Sequence, residues 1–111
     1  MELKVAQKTV DDWISQFEDG YWPPLSQLAA LVEETGELAR EINNIESKKL
    51  KKTPGDNLKT EIGDVLFALI CIANSYNISL VDAFRTTMSK YEKRDQNRWK
   101  RKHSSLPSDP A

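Results

Sequence analysis

The chain has 111 residues and a mass of 12.7 kDa, which is the size of one compact domain and excludes a large multidomain enzyme. Hydrophobic residues make up 39% of the chain and charged residues 30%. This composition is too apolar for a disordered chain and too polar for a membrane protein. Sixteen Lys and Arg against seventeen Asp and Glu give a formal net charge of -1, so no overall charge attracts nucleic acid or anionic lipid.

The longest apolar run, residues 65–73, is far shorter than the roughly twenty residues that a bilayer requires, so we expect no membrane partner. The single cysteine, Cys71, lies in that run, where we expect a small buried core residue. One cysteine excludes an intrachain disulfide and a cysteine metal site, and it fits a reducing cytoplasm.

The spacing of apolar residues predicts four helices and no strand, and therefore an all-α four-helix fold. The first helix is predicted over about residues 3–18, where Val10, Trp13, Ile14 and Phe17 form one apolar stripe. A stiff connector, Tyr21-Trp22-Pro23-Pro24, follows it, because the prolines prevent helix propagation. The second helix is predicted over about residues 25–46.

After a solvated loop with the turn pair Pro54-Gly55, a third helix is predicted over about residues 58–76, with Asp56 or Asn57 as its cap. A fourth helix is predicted over about residues 80–99. Residues 1–99 are then one helical domain and 100–111 a disordered, basic and Pro-rich tail. The basic run Lys100-Arg101-Lys102 is too short for us to expect nucleic-acid binding.

Two acidic pairs stand out, Glu34 with Glu37 in the second helix and Glu61 with Asp64 in the third. Residues three apart are neighbours on a helix surface. At about 100° per residue, Glu34 borders the apolar stripe whereas the preceding Glu33 faces solvent. The third helix is apolar all round over residues 65–73, so its two acids extend a face that is buried one turn later.

Carboxylates at the edge of a core are costly unless a positive charge compensates them, and ordinary solvated acidic faces are the alternative reading. Four oxygen ligands from two antiparallel helices suit Mg²⁺ or Mn²⁺ together with a phosphate-bearing substrate. Gly36 and Gly63 lie inside the two pairs at a cost of about 1 kcal/mol each relative to Ala. Close helix approach or access for a ligand would explain them.

The acidic residues occur as Glu33-Glu34-x-x-Glu37 and Glu61-x-x-Asp64, separated by twenty-three residues. This arrangement resembles the EExxE and ExxD signature of the MazG-like nucleoside triphosphate pyrophosphohydrolases, all-α enzymes related to dimeric dUTPases. Further segments resemble the small single-domain YpjD-like subgroup: Gly20-Tyr21-Trp22-Pro23-Pro24-Leu25, Glu37-Leu38-Ala39-Arg40-Glu41, Glu61-Ile62-Gly63-Asp64-Val65-Leu66-Phe67 and Arg94-Asp95-x-x-Arg98-Trp99.

The resemblance implies hydrolysis of a (deoxy)nucleoside triphosphate between its α- and β-phosphates, as nucleotide-pool housecleaning, with a monophosphate and pyrophosphate as products. It implies a Mg²⁺ cofactor, or Mn²⁺, on Glu34, Glu37, Glu61 and Asp64. Glu33 completes the catalytic motif, although its direction makes it the weakest ligand. Which carboxylate acts as the base stays open.

Four further residues are candidates for substrate binding. Lys90 and Arg94 lie on one face of the fourth helix and can hold phosphate oxygens, or simply form a solvated basic face. Asn74 can bind sugar or phosphate, or make a structural hydrogen bond. Trp22 can stack on a base, or belong to the core.

Three short helices cannot comfortably cover a third helix that is apolar all round, so we expect a homo-oligomer formed through helices two to four. Dimers and tetramers of the resembling family agree with this expectation, and the sequence leaves open whether the site is shared between subunits. The alternative to an enzyme is a helical module that binds nucleotide or a partner protein without turnover.

Overall fold

The computed structural model of the chain describes residues 1–47 and 56–102, and within these ranges it contains four α-helices and no strand. The all-α prediction is confirmed. The helices are α1 (Leu3–Ser15), α2 (Pro24–Glu46), α3 (Asp56–Ser75) and α4 (Leu80–Arg94).

Two helices end earlier than their apolar pattern predicts. α1 stops at Ser15, and the chain turns through Phe17 and Gly20, whose φ of 63° lies in the left-handed region that glycine adopts without strain. α4 stops at Arg94 rather than at Trp99. A turn follows in which the Arg98 amide donates to the carbonyl of Asp95 at 3.1 Å.

Local chemistry explains how α2 begins and α3 ends. Pro24 occupies the first position of α2, where its missing N–H costs no hydrogen bond. At the end of α3, Asn77 has a φ of 54°, and the Ile78 amide donates to the carbonyl of Ala73 at 2.8 Å. The Asn77 amide donates to the carbonyl of Asn74 at 3.1 Å, which completes a Schellman-type helix end.

The chain divides into two compact units, Met1–Val81 and Asp82–Ala111. In the first unit α3 packs against both α2 and α1, around a small buried set that comprises Val10, Ala68, Ile70 and Ala73. Gln27 near the start of α2 bonds to Ser75 at the end of α3, whereas Glu34 lies beside Glu61 and Asp64. α2 and α3 are therefore antiparallel.

In the second unit, the Asp95 carboxylate accepts hydrogen bonds from the guanidinium groups of Arg94 and Arg98. These bonds tie the end of α4 to the turn that follows it, and the Arg94 bond lowers the pKa of the Asp95 carboxyl.

Several predictions concern residues outside the described ranges: the loop with Pro54-Gly55, the Asp56 side chain and most of the tail. The single domain over residues 1–99 stays a prediction. Among the described residues no single helix is long and apolar enough to cross a membrane. Only α3 and α4 taken together, as two helices with a sharp bend between them, have the length and apolar composition of a membrane span.

The left-handed backbone at Asn77 yields a test of this helix end. We expect Asn77→Ala to lower the free energy of unfolding by about 1 kcal/mol, because Ala has no local hydrogen bond to offset the steric cost of this conformation. Asn77→Gly should unfold at the same denaturant concentration as the parent, or a higher one. Urea unfolding followed by circular dichroism measures both, and equal midpoints for Ala and Gly would contradict the assignment.

Candidate active site

Three carboxylates converge where α2 faces the first half of α3. Glu34, Glu61 and Asp64 each offer one oxygen, and the three oxygens lie within 4.8 Å of one another. Glu61 and Asp64 are adjacent on α3 because they are three residues apart, and the antiparallel packing brings Glu34 to them. We call these three residues the acidic cluster.

The other two acidic residues of the sequence motif lie outside the acidic cluster. The Glu37 carboxylate accepts a hydrogen bond from Arg40 Nη2 at 2.6 Å, one turn further along α2. An exposed ion pair of this kind contributes at most about 1 kcal/mol, so it holds Glu37 only weakly. Glu33 is exposed, as its direction on the helix predicts.

Glu34 is partly buried and lies beside the two acids of α3. Desolvation raises the pKa of its carboxyl above the ordinary value, and the negative charges of Asp64 and Glu61 raise it further. Within residues 1–47 and 56–102, no salt bridge from Lys or Arg reaches any member of the acidic cluster. The cluster thus holds negative charge that its described surroundings do not neutralise.

This donor set fits a hard divalent cation. Three carboxylates close enough to share one ion are the ligands that Mg²⁺ and Mn²⁺ prefer, and a partial protein shell leaves coordination positions for water and phosphate. A bound cation would also relieve the repulsion that raises the pKa of Glu34.

A cavity of about 460 Å³ adjoins the acidic cluster, within the size range of small-molecule sites. Glu34 and Asp64 form part of its wall, and the remainder is mostly apolar or aromatic. The aromatic members come from the end of α1, the connector and α3: Trp13, Phe17, Tyr21, Trp22 and Phe67. The cavity therefore joins an aromatic compartment to a negatively charged end.

The connector is held in place by a hydrogen-bond network around Tyr21. The Tyr21 hydroxyl donates to Asp11 at 2.7 Å and accepts from Asn74 Nδ2 at 3.0 Å. Desolvation and the Asp11 hydrogen bond raise the pKa of Tyr21 to about 12, so the hydroxyl keeps its proton. This network attaches the connector to both α1 and α3.

Asn74 is engaged inside the protein. Its Nδ2 donates to the Gln7 carbonyl at 2.9 Å as well as to Tyr21, and its Oδ1 accepts from Gln7 Nε2 at 2.9 Å. Of the two roles that the sequence left open for Asn74, this geometry favours the structural hydrogen bond. Trp22, in contrast, is 63% exposed and lines the cavity, so its ring is available to a ligand.

The two basic candidates belong to the second unit. Lys90 Nζ lies 5.0 Å from the centre of the Tyr91 ring, and the Arg94 guanidinium stacks on the same ring at 4.7 Å. Arg94 also makes two hydrogen bonds with Asp95. Both side chains share one face of α4, as their spacing predicts.

Two expectations about small residues need correction. A Cβ added at Gly36 or Gly63 would meet no described atom of another helix within 4 Å, so close approach of helices in this chain does not explain these glycines. Cys71 is only partly buried, and it lines the cavity instead of lying in the core. Desolvation there raises the pKa of its thiol.

Sequence reasoning missed Gln27 and Phe67 as members of the cavity wall. A signal for Gln27 exists, because it lies seven residues before Glu34 and hence on the same face of α2, as a polar residue among apolar neighbours. Phe67 lies three residues after Asp64 and shares its face in the same way.

Comparison with known proteins agrees with this geometry. Residues 23–99 match the family described as the MazG nucleotide pyrophosphohydrolase domain, a range that begins at Pro23 within the connector and contains the acidic cluster. The chain is also 49% identical over 102 residues to the uncharacterised protein YpjD of Bacillus subtilis strain 168, covering 90% of this chain and 92% of that protein.

Two solved structures share the fold. The crystal structure of the candidate pyrophosphatase YpjD from Bacillus subtilis superposes with a TM-score of 0.75 at 47% identity, covering 82% of this chain and 95% of that one. The crystal structure of the Bacillus-conserved MazG protein, a nucleotide pyrophosphohydrolase, gives a TM-score of 0.77 at 43% identity, covering 87% and 96%.

The acidic cluster yields a test that needs no substrate. We expect Mg²⁺ or Mn²⁺ to raise the melting temperature of the parent chain, since a ligand that binds only the folded state stabilises it. Asp64→Asn should lose most of this rise, yet melt no lower than the parent without metal, because it removes a repelling charge. Differential scanning calorimetry with and without each metal measures both effects.

Glu46→Gln is the matched control, because it removes one negative charge from the exposed end of α2, outside the acidic cluster. It should keep the full metal-induced rise. An equal loss in Glu46→Gln and Asp64→Asn would mean that the metal responds to overall charge and not to this site.

Proposed function

The chain belongs to the MazG nucleotide pyrophosphohydrolase family and is an enzyme of that class, and from this premise we propose that it hydrolyses (deoxy)nucleoside triphosphates with the help of Mg²⁺. The bond broken is the one between the α- and β-phosphates, which yields a nucleoside monophosphate and pyrophosphate. The observation that carries the proposal is the acidic cluster at the end of an aromatic cavity.

We assign the metal ligands to the acidic cluster and to Glu37. Glu34, Glu61 and Asp64 already lie within reach of one ion, and Glu37 joins them when it releases Arg40. When bound, the cation supplies charge neutralisation on the triphosphate and acidifies an attacking water. Glu33, exposed beside Glu34, is proposed to orient that water from outside the cluster.

The aromatic part of the cavity suits the base of the substrate. Trp22 has an exposed ring at the cavity wall, and stacking on such a ring holds any base by its π-face. With the phosphates at the acidic cluster, the base then extends toward the connector. Lys90 and Arg94 of the second unit stay candidates for phosphate binding, as charged donors on one face of α4.

A panel of nucleoside triphosphates incubated with the protein and Mg²⁺ tests this function. We expect monophosphate and pyrophosphate in equal amounts. Glu61→Gln should lower kcat by at least about a hundredfold, because it removes a charged ligand while keeping the shape of the side chain. Separation of the products by ion-exchange chromatography gives both results, with Glu46→Gln as the control that keeps activity.

Orthophosphate as the sole phosphate product would reject cleavage at the α–β bond. Metal-dependent nucleotide binding without any product would favour the second candidate, a binding module that keeps the family scaffold. Full activity of Glu61→Gln would exclude Glu61 as an essential ligand.

We propose that the chain self-associates through the exposed apolar stripes of its helices. α2 exposes Leu25, Leu28 and Val32, at helical spacing along one face. The same pattern recurs in α3 with Ile62, Leu66 and Leu69, and in α4 with Phe84, Met88 and Tyr91. A second copy of the chain brings stripes of the same apolar character, which can cover these.

Substitution of one stripe residue tests this association. We expect the parent to elute as a dimer or tetramer, and Val32→Glu to shift it toward the 12.7 kDa monomer, because a buried unpaired carboxylate opposes assembly. Val32 is 63% exposed within one chain, so the monomer itself tolerates Glu. Thr86→Glu, exposed on α4 outside its stripe, should keep the parental mass by light scattering. A monomeric parent would reject the proposal.

A cytoplasmic location is also part of the proposal. One cysteine permits no intrachain disulfide, which is typical of proteins that work in a reducing compartment.

A further inference from the structure

Gln27 is a buried polar side chain in the wall of the cavity. It is 5% exposed, and its Nε2 donates to the Trp22 carbonyl at 2.6 Å and to Ser75 Oγ at 2.7 Å. A backbone carbonyl can only accept, so the bond to Trp22 determines which end of the amide is nitrogen. The carbonyl end of the Gln27 amide is thereby assigned as well.

The other end of this amide lacks a partner. Gln27 Oε1 is buried and accepts no hydrogen bond from any described residue. Buried polar atoms in folded proteins are almost always hydrogen-bonded, so an unpaired buried acceptor on a residue that lines the cavity needs an explanation. A donor that arrives with a bound ligand provides one.

The position of Gln27 along the cavity indicates which part of a ligand it meets. Gln27 and Glu34 lie on one face of α2, two turns and about 10 Å apart along the helix axis. That separation is comparable with the length of a nucleoside monophosphate. With the phosphates at Glu34, the base therefore lies at the end of the cavity where Gln27 is found.

We propose that Gln27 Oε1 accepts a hydrogen bond from an N–H group of the bound nucleobase, so that Gln27 determines specificity for bases that carry such a donor. This inference rests on the proposed function, because it takes the direction of the nucleotide from the acidic cluster. Oε1 has almost no accessible surface without ligand, so the base reaches it by displacing a wall side chain. The ring of Trp22, 63% exposed, is the one least held by packing.

The roles of the two ends of the amide then differ. Nε2 positions the connector through the Trp22 carbonyl, and Oε1 reads the base. Stacking on an aromatic ring tolerates every base, whereas a single acceptor in a shielded site distinguishes a ligand that donates from one that does not. Gln27 thus adds selectivity to a cavity whose other contacts with the base are mostly apolar.

Matched pairs of ligands test the proposal. Each natural deoxynucleoside is paired with its analogue in which methyl groups replace the hydrogens on the nitrogens of its Watson–Crick edge. Binding is followed by tryptophan fluorescence, since Trp13 and Trp22 line the cavity, and kcat/KM is compared for the corresponding triphosphates. For the base that is processed fastest, we expect the parent to prefer the unmodified ligand by about tenfold or more.

Gln27→Met keeps the length of the side chain and removes the acceptor. In this variant the ratio of kcat/KM for the unmodified ligand to kcat/KM for its methylated analogue should fall to about three or less. The reason is that the unmodified base no longer gains a hydrogen bond. The ratio is measured within one preparation, so partial loss of folded protein cancels. Gln7→Met is the control: it removes an amide with comparable structural bonds outside the cavity, and it should keep the parental ratio.

Each outcome bears on one of the two proposals. An unchanged ratio in Gln27→Met, or a parent that does not discriminate, overturns the role of Gln27 and leaves pyrophosphate release intact. Discrimination in nucleoside binding without pyrophosphate from any triphosphate overturns the proposed function and supports Gln27 as the residue that reads the base.

Discussion

Repulsion among three carboxylates is the constraint on which the rest of this site depends. The antiparallel packing of α2 on α3 brings oxygens of Glu34, Glu61 and Asp64 within 4.8 Å, and it raises the pKa of Glu34 by desolvation and by the charges of its neighbours. A fold that depended only on apolar packing would gain from neutral residues here. We therefore propose that a cation from outside the chain supplies the compensating positive charge, and that this cation in turn binds the phosphates of the substrate.

The aromatic cavity and the acidic cluster adjoin each other, because α2 and α3 each contribute residues to both. On α2 the face with Gln27 and Ala30 leads to Glu34, and on α3 the face with Cys71 and Phe67 leads to Asp64. With a cation bound to the acidic cluster, a ligand that is aromatic at one end and anionic at the other would match this arrangement, and a nucleotide is such a ligand. The short α1 and the connector close the apolar end, where the Tyr21 hydroxyl bridges Asp11 and Asn74.

Much of this was predictable from sequence, and the exceptions have physical causes. Apolar periodicity predicted the four helices. The rotation of about 100° per residue along α2 correctly predicted that Glu33 is exposed and that Glu34 is half-buried. Pattern alone missed that Asp95 collects the charges of Arg94 and Arg98, which accompanies the early end of α4. It also missed the open acceptor of Gln27, because an unpaired buried atom is a property of the packed structure and leaves no periodic trace in the sequence.

The most direct measurement is the location of a cation and a nucleotide in crystals grown with Mn²⁺ and a non-hydrolysable triphosphate analogue. Anomalous scattering from Mn²⁺ should give a peak in contact with Glu34, Glu61 and Asp64, with phosphate oxygens on its open side and the base in the aromatic cavity. A peak elsewhere, with the acidic cluster bound only to water, would contradict the central claim that these acids exist to hold a metal ion against a nucleotide.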